Sequence, residues 1–149
     1  MVKNMLTVLL FVFLSNYASA ENCLDISAHY YCKNNGWAGY RNISQVNIAG
    51  TVAYSLSPAL GYFGKLIVDN RSHPFTPTPS SYIYNASYVA TCNKNGLDVN
   101  SVLDVKYEPE NSKTLHETFT TQFYKSDART LTIREIMSGA VYVETCVAM

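Results

Sequence analysis

Between residues 97 and 107 the chain alternates with a period of two. Leu97, Val99, Ser101, Leu103, Val105 and Tyr107 fall on one side, and Asp98, Asn100, Val102, Asp104 and Lys106 on the other. Successive side chains of an extended strand leave opposite faces, so the stretch describes a ribbon with one buried and one wetted face. The rhythm returns in 115–124, where Leu115, Phe119 and Phe123 oppose His116, Thr118, Thr120 and Gln122. In 130–137 Leu131 and Ile133 oppose Thr132 and Arg134, and 140–147 sets Val141 and Val143 against Tyr142 and Glu144. With less contrast, 26–32, 41–49, 51–57, 62–69 and 81–91 read the same way.

Turn residues punctuate these runs. Ser138-Gly139 is a tight hairpin signal, and Asn34-Asn35-Gly36, Ser57-Pro58 through Gly61, and Asn93 through Gly96 mark other connections. Residues 108–112 and 126–128 supply two more. Gly50 sits between two apolar alternations without other turn residues, which predicts a bulge or sharp bend. In 71–80, Pro74, Pro77 and Pro79 cannot donate to a sheet ladder, so this segment is expected to be an extended loop, as a lid or a surface connection. Strands joined by turns without intervening helices predict an all-β antiparallel domain. A closed barrel of eight or nine strands would remove the exposed edges, and a two-sheet β-sandwich is the alternative.

The domain is expected to span 21–149. Ahead of it, Lys3, the apolar run 5–14 and the small-x-small pattern Ala18-Ser19-Ala20 read as a cleavable export signal over 1–20. The apolar run is about half of the roughly 20 residues that span a bilayer. No later stretch is apolar enough for a spanning helix, so no membrane span is expected after cleavage, and the product is expected to be secreted or periplasmic. Cys23, Cys32, Cys92 and Cys146 all follow the signal. An even cysteine count in an exported chain predicts two disulfides, for which three pairings exist. A local Cys23–Cys32 loop with Cys92–Cys146 tying a middle strand to the last is favoured. Zinc would want Cys-x-x-Cys or Cys/His spacing, which is absent.

Lys plus Arg and Asp plus Glu number 11 each, with no basic stripe, so nucleic acid is not an expected partner. The twelve tyrosines, beside many Val, Ile and Thr, suit a pleated, half-buried surface.

Three stretches carry a family likeness: 86–96, which ends one strand at a cysteine turn and opens the next, 46–52 with Gly50 as a hinge, and the closing hairpin 133–142. Together the chain resembles small exported bacterial proteins with a lipocalin-like barrel. It has Ala86-Ser87-Tyr88 where those proteins often have Gly-Thr-Tyr, and Gly36-Trp37 in place of Gly-x-Trp. The resemblance implies a barrel with an internal pocket and brings no catalytic residues.

Local chemistry is sparse. His116 and Glu117 are adjacent on a strand and point to opposite faces. His29 and His73 have no ligand spacing around them, so all three histidines are expected at the surface. No nucleophile elbow, phosphate loop or zinc-protease helix occurs, and no motif asks for a cofactor or metal. Asp98, Asp104, Glu117, Glu135 and Glu144 are scattered and are expected on solvated outward faces. Asn42, Asn70 and Asn85 open N-glycosylation tripeptides, which matter only in a eukaryotic secretory route.

These observations favour a non-enzymatic binding module, with Trp37, Tyr54, Tyr107, Phe119 and Phe123 as candidates to enclose a small apolar or aromatic ligand. The alternative is a secreted interaction protein, an inhibitor or surface-binding effector, that engages an extracellular protein partner through 71–80 and exposed tyrosines.

Overall fold

A computed structural model describes residues 23–60, 63–75, 83–106 and 114–149. The export signal, Tyr107 and residues 76–80 of the proline-rich segment lie outside the described residues. Ten strands follow one another: β1 Ala28–Asn34, β2 Trp37–Ile48, β3 Thr51–Leu60, β4 Phe63–Val68, β5 Ser72–Pro74, β6 Ile83–Asn93, β7 Gly96–Val105, β8 Leu115–Lys125, β9 Thr130–Met137 and β10 Ala140–Ala148. They form one antiparallel sheet in the order β4-β3-β2-β1-β10-β9-β8-β7-β6-β5. Each strand therefore pairs with its sequence neighbours except across β4 and β5, and β1 pairs with β10. The sheet is an up-and-down meander, nearly closed into a barrel.

Only β4 and β5 are unpaired neighbours, and the seam is bridged. The Ile67 N–H donates to the Tyr88 hydroxyl (2.9 Å) and the Asn70 N–H to the Ala90 carbonyl (3.3 Å). The tenth strand is the unexpected β5. Its three residues pair with Val89, Tyr88 and Ser87 of β6, so the start of the proline-rich segment is sheet and not loop. Pro74 is tolerated there because it is the last residue of an edge strand. Likewise β3 runs past Ser57-Pro58 to Leu60, with its register to β4 interrupted between Ser55 and Leu60.

Period two sets what is buried. Leu97, Val99, Ser101, Leu103 and Val105 face in, and Asn100 is exposed between them. The outward face of β6 to β8 carries a polar ladder, in which Gln122 donates to Asp98 (3.0 Å), Thr120 to Asn100 (3.0 Å) and Asn85 to Asp104 (3.0 Å). In β10 the phase is the reverse of what apolarity favours: Glu144 and Cys146 are buried while Val141, Val143 and Val147 are exposed. Inside, both buried residues have fixed partners, described below, which decide the phase over the modest gain from burying valines.

The disulfides are Cys23–Cys92 and Cys32–Cys146, which corrects the favoured local pairing. Cys32 and Cys146 are directly opposite on β1 and β10 and share the inner face, so the first and last strands are joined covalently. Cys23 cannot reach Cys32, because β1 carries Cys32 away along the barrel while residues 23–27 stay at its end. There the Tyr54 hydroxyl donates to the Leu24 carbonyl (3.0 Å), the Tyr30 hydroxyl donates to the Ile26 carbonyl (2.9 Å), and Ile26 is fully buried. This N-terminal segment closes one end of the barrel. The opposite end carries the β1–β2 and β9–β10 turns and is termed the mouth.

Candidate functional site

The register allows the inner face to be read row by row across β7, β8, β9 and β10. One row runs Leu97, Phe123, Ile133, Glu144. The next toward the mouth is Val99, Thr121, Glu135, Tyr142, and above it come Ser101, Phe119, Met137 and Ala140. Hydrophobic and polar side chains thus alternate on a wall that a filled barrel would make wholly apolar.

Glu144 is held from across β1. The Arg41 Nε lies 3.1 and 3.0 Å from the two Glu144 carboxylate oxygens, and its Nη2 lies 3.0 Å from Oε2. Both side chains are largely buried, at 13% and 7% exposure. The guanidinium also sits over the Trp37 ring, 4.9 Å from its centroid. Trp37 reaches this position by folding over Gly39, where a Cβ would come within 2.5 Å of the indole. Trp37, Gly39 and Arg41 share the inner face of β2.

Glu135 is different. It faces in between Thr121 and Tyr142 and makes no hydrogen bond or ion pair with any described residue. Burial pushes its carboxyl above the usual glutamate range against the pull of Arg41, and Glu144 adds to the rise. The Thr121 and Ser101 hydroxyls, 0% and 1% exposed, have no hydrogen-bond partner among the described residues. A buried hydroxyl left without a partner costs about 1–3 kcal/mol. Such groups are normally satisfied by water or by something bound.

Beside these polar groups stands an aromatic cluster. Phe63 packs on Phe75 (5.1 Å between centroids), Tyr88 (5.5 Å) and Phe119 (6.0 Å). A shallow surface cleft of about 430 Å³ crosses the rim of β8 and β9, bordered by His116, Thr118, Thr120 and Ile136 of the outward face together with Glu117, Phe119 and the β9–β10 turn. A second, of about 500 Å³, lies at the closed end against Asn95, Gln122 and Phe123.

Of the aromatic candidates, Trp37 stands at the mouth, 41% exposed, and Phe119 belongs to the aromatic cluster below it. Tyr54 and Phe123 are buried in the packed core, and Tyr54 also holds the N-terminal segment. The structure therefore brings Trp37 and Phe119 into the mouth half and separates them from the other two. Arg41, Thr121, Glu135 and Tyr142 were missed. Parity with Phe119 and Phe123 puts Thr121 inside, and parity with Leu131 and Ile133 does the same for Glu135.

The expectation that the carboxylates lie on outward faces fails for Glu117, Glu135 and Glu144, which share faces with Phe119, Ile133 and Cys146. It holds for Asp98 and Asp104. His116 is exposed and lies 2.7 Å from Asp104, which holds that carboxyl below its ordinary range together with Asn85. His73 lies 2.8 Å from Asp69 and is partly exposed. It shares the face of Tyr88, 5.5 Å away. One three-ligand grouping occurs among the described residues, Cys32, Glu144 and Cys146. Its sulfurs are tied in a disulfide and its carboxylate is on Arg41, so it offers no metal site.

No family model, curated protein or solved structure matches the chain.

Proposed function

We propose that this chain is an exported, non-enzymatic binding protein that takes a small ligand with an apolar or aromatic body into the mouth half of its barrel. One observation carries the reading: two fully buried hydroxyls and an unpaired carboxylate line the same interior as the cluster of Phe63, Phe75, Tyr88 and Phe119. A mostly apolar concavity with a few convergent polar groups is the usual make-up of a small-molecule site. The N-terminal segment covers the other end, so the ligand would enter from the mouth side. Two disulfides fit an oxidising compartment, and export to the periplasm or cell exterior is the reading of residues 1–20 that agrees with them.

The test is native mass spectrometry of the oxidised protein from its own source, with titration of lipophilic probes followed through Trp37, the single tryptophan. A retained small molecule, or saturable quenching that Phe119→Ala weakens about tenfold, is expected. An empty barrel whose emission ignores every probe would refute the reading.

A specific surface favours a second reading, docking of an extracellular protein on the outward face of β10, β1 and β2. Val141, Val143 and Val147 are exposed there beside Tyr40, at 57% exposure. Tyr40 stacks on His29 (5.8 Å) and leans on Tyr31 (5.3 Å), whose ring Lys33 covers. Contiguous exposed valine and tyrosine on a sheet face fit a partner surface. Pull-down by the wild type but not by a Tyr40→Ser, Val143→Ser variant is the expected result for this reading. Equal capture by both would dismiss it.

A further inference from the structure

The charges inside the mouth half are lopsided. Three carboxylates face in on β8, β9 and β10, namely Glu117, Glu135 and Glu144. Among the described residues the inward cation of the mouth half is Arg41 on β2, which is committed to Glu144 through both carboxylate oxygens, while Lys125, on the inward parity of β8, stands at the opposite end beside Leu131. His73, on the β5 side, is held by Asp69. Arg134 belongs to the outward face of β9, where it meets Gln122. Two inward carboxylates, Glu117 and Glu135, are left without an ion-pair partner among the described residues.

Glu135 has the better surroundings of the two. On one side the register sets Thr121, whose buried hydroxyl lacks a partner, and on the other Tyr142, whose ring is at the mouth. One strand position outward, Phe119 stands diagonal to Glu135 and leads to Phe63 and Phe75. A carboxylate supplies charge and accepts hydrogen bonds, a hydroxyl accepts another, and an aromatic face attracts a cation electrostatically. An anion would meet uncompensated negative charge here. Glu135 is half-buried, and a neutral ligand would cover it without pairing its charge, which low-polarity surroundings penalise.

Resting on the small-ligand reading above, we propose that the mouth selects a protonated amine carried on an apolar or aromatic body. The ammonium pairs with Glu135 and donates to the Thr121 hydroxyl beside the Tyr142 ring, and the body lies against Phe119, Phe63 and Phe75. Glu117, nearer the rim on the same strand, adds to the field that draws the cation in.

The experiment compares matched probes on the oxidised protein: 3-phenylpropylamine against 3-phenylpropan-1-ol, and dodecylamine against dodecanol, by calorimetry and Trp37 emission. The amines are expected to bind about tenfold or more tightly than their alcohols. Glu135→Gln is expected to erase that preference by weakening the amines about tenfold. Thr121→Val should weaken the amines several-fold without lowering the melting temperature, because the hydroxyl it removes has no partner in the fold. Equal binding of amine and alcohol by the wild type overturns the amine assignment and leaves the small-ligand reading standing. If neither class binds, the small-ligand reading fails and takes the amine with it. A preference that survives in Glu135→Gln overturns the assigned partner.

Discussion

Arg41 and Glu144 illustrate how a residue's neighbours decide its worth. Placed inside the barrel, each would be an expensive lone charge, and together they satisfy one another at 3.0 to 3.1 Å. Replacing Glu144 by Ala strands a largely buried guanidinium, so urea unfolding should show a loss of about 3 kcal/mol. The double change Arg41→Met, Glu144→Leu should recover most of it, since an apolar pair of similar volume needs no compensation. If the double variant is no better than the single, the pair is not what holds this wall. Tyr54 makes a second case. Burial, with the Asp25 charge adding to it, pushes its phenol up to about 12 from 10.0. Its folded value lies above its unfolded one, so the stability it contributes is complete below pH 10 and lost as pH rises toward 12. Each unit of such a shift is worth about 1.4 kcal/mol, which makes the expected loss about 2–3 kcal/mol. Tyr30 and Tyr88 are raised in the same direction by burial. Denaturation curves at pH 8 and pH 11.5, with tyrosinate absorbance recorded alongside, test the point. Tyr54→Phe should flatten part of the dependence. An unchanged alkaline slope in that variant would assign it elsewhere.

At the level of strands and turns, the two-residue hairpins show what local sequence does and does not announce. Ser138-Gly139 reads as a turn, and its φ values of 49° and 83° are those of a primed hairpin. Ala49-Gly50 has nearly the same geometry, at 50° and 86°, and joins Ile48 directly to Thr51. Gly50 alone suggested a bulge or sharp bend because alanine gives no turn signal and rarely takes a positive φ. Asparagine tolerates that conformation far better, so Ala49→Asn should raise stability by about 0.5–1 kcal/mol, measured as a shift in the urea midpoint. A neutral or negative change would mean the turn adapts to its alanine. Strand positions after residue 97 were legible for a related reason: Leu97 to Val105 is half apolar and half polar, and nothing else in its neighbourhood competes. In β10 the valines Val141, Val143 and Val147 share one face and Tyr142, Glu144 and Cys146 the other, so apolarity points to the wrong side. Its phase depends on Cys32 and Arg41, more than a hundred positions earlier. The same limit hid most of the mouth. Ser101 and Phe119 were visible on inward faces, but the meaning of Glu135 appears only when Thr121 and Tyr142 are placed on either side of it.

For the whole molecule the two cross-links do separate jobs. Cys32–Cys146 spans 114 positions and joins the first strand to the last, the one pairing in the meander that the chain does not make with a near neighbour. Cys23–Cys92 spans 69 and fastens the N-terminal segment to the end of β6. Short separations are attractive when cysteines are read along a chain, because they demand no knowledge of which strands meet. Barrel closure reverses that preference by bringing the chain's extremes together and carrying Cys32 away from Cys23. Opening the β1–β10 closure should therefore cost more than freeing the end. By chain entropy a loop of this size contributes about 4–5 kcal/mol, and Cys32→Ala, Cys146→Ala should lose about 3–5 kcal/mol with a broad decline in amide-exchange protection across β1, β2, β9 and β10. Cys23→Ala, Cys92→Ala should instead expose residues 23–27 and leave those strands protected. The pairing itself is checked by cutting the denatured, unreduced protein with chymotrypsin, which separates Cys23 from Cys32 at Tyr30 and Tyr31. A fragment holding Cys92 joined to Cys146 would contradict both the closure and the barrel end built on it.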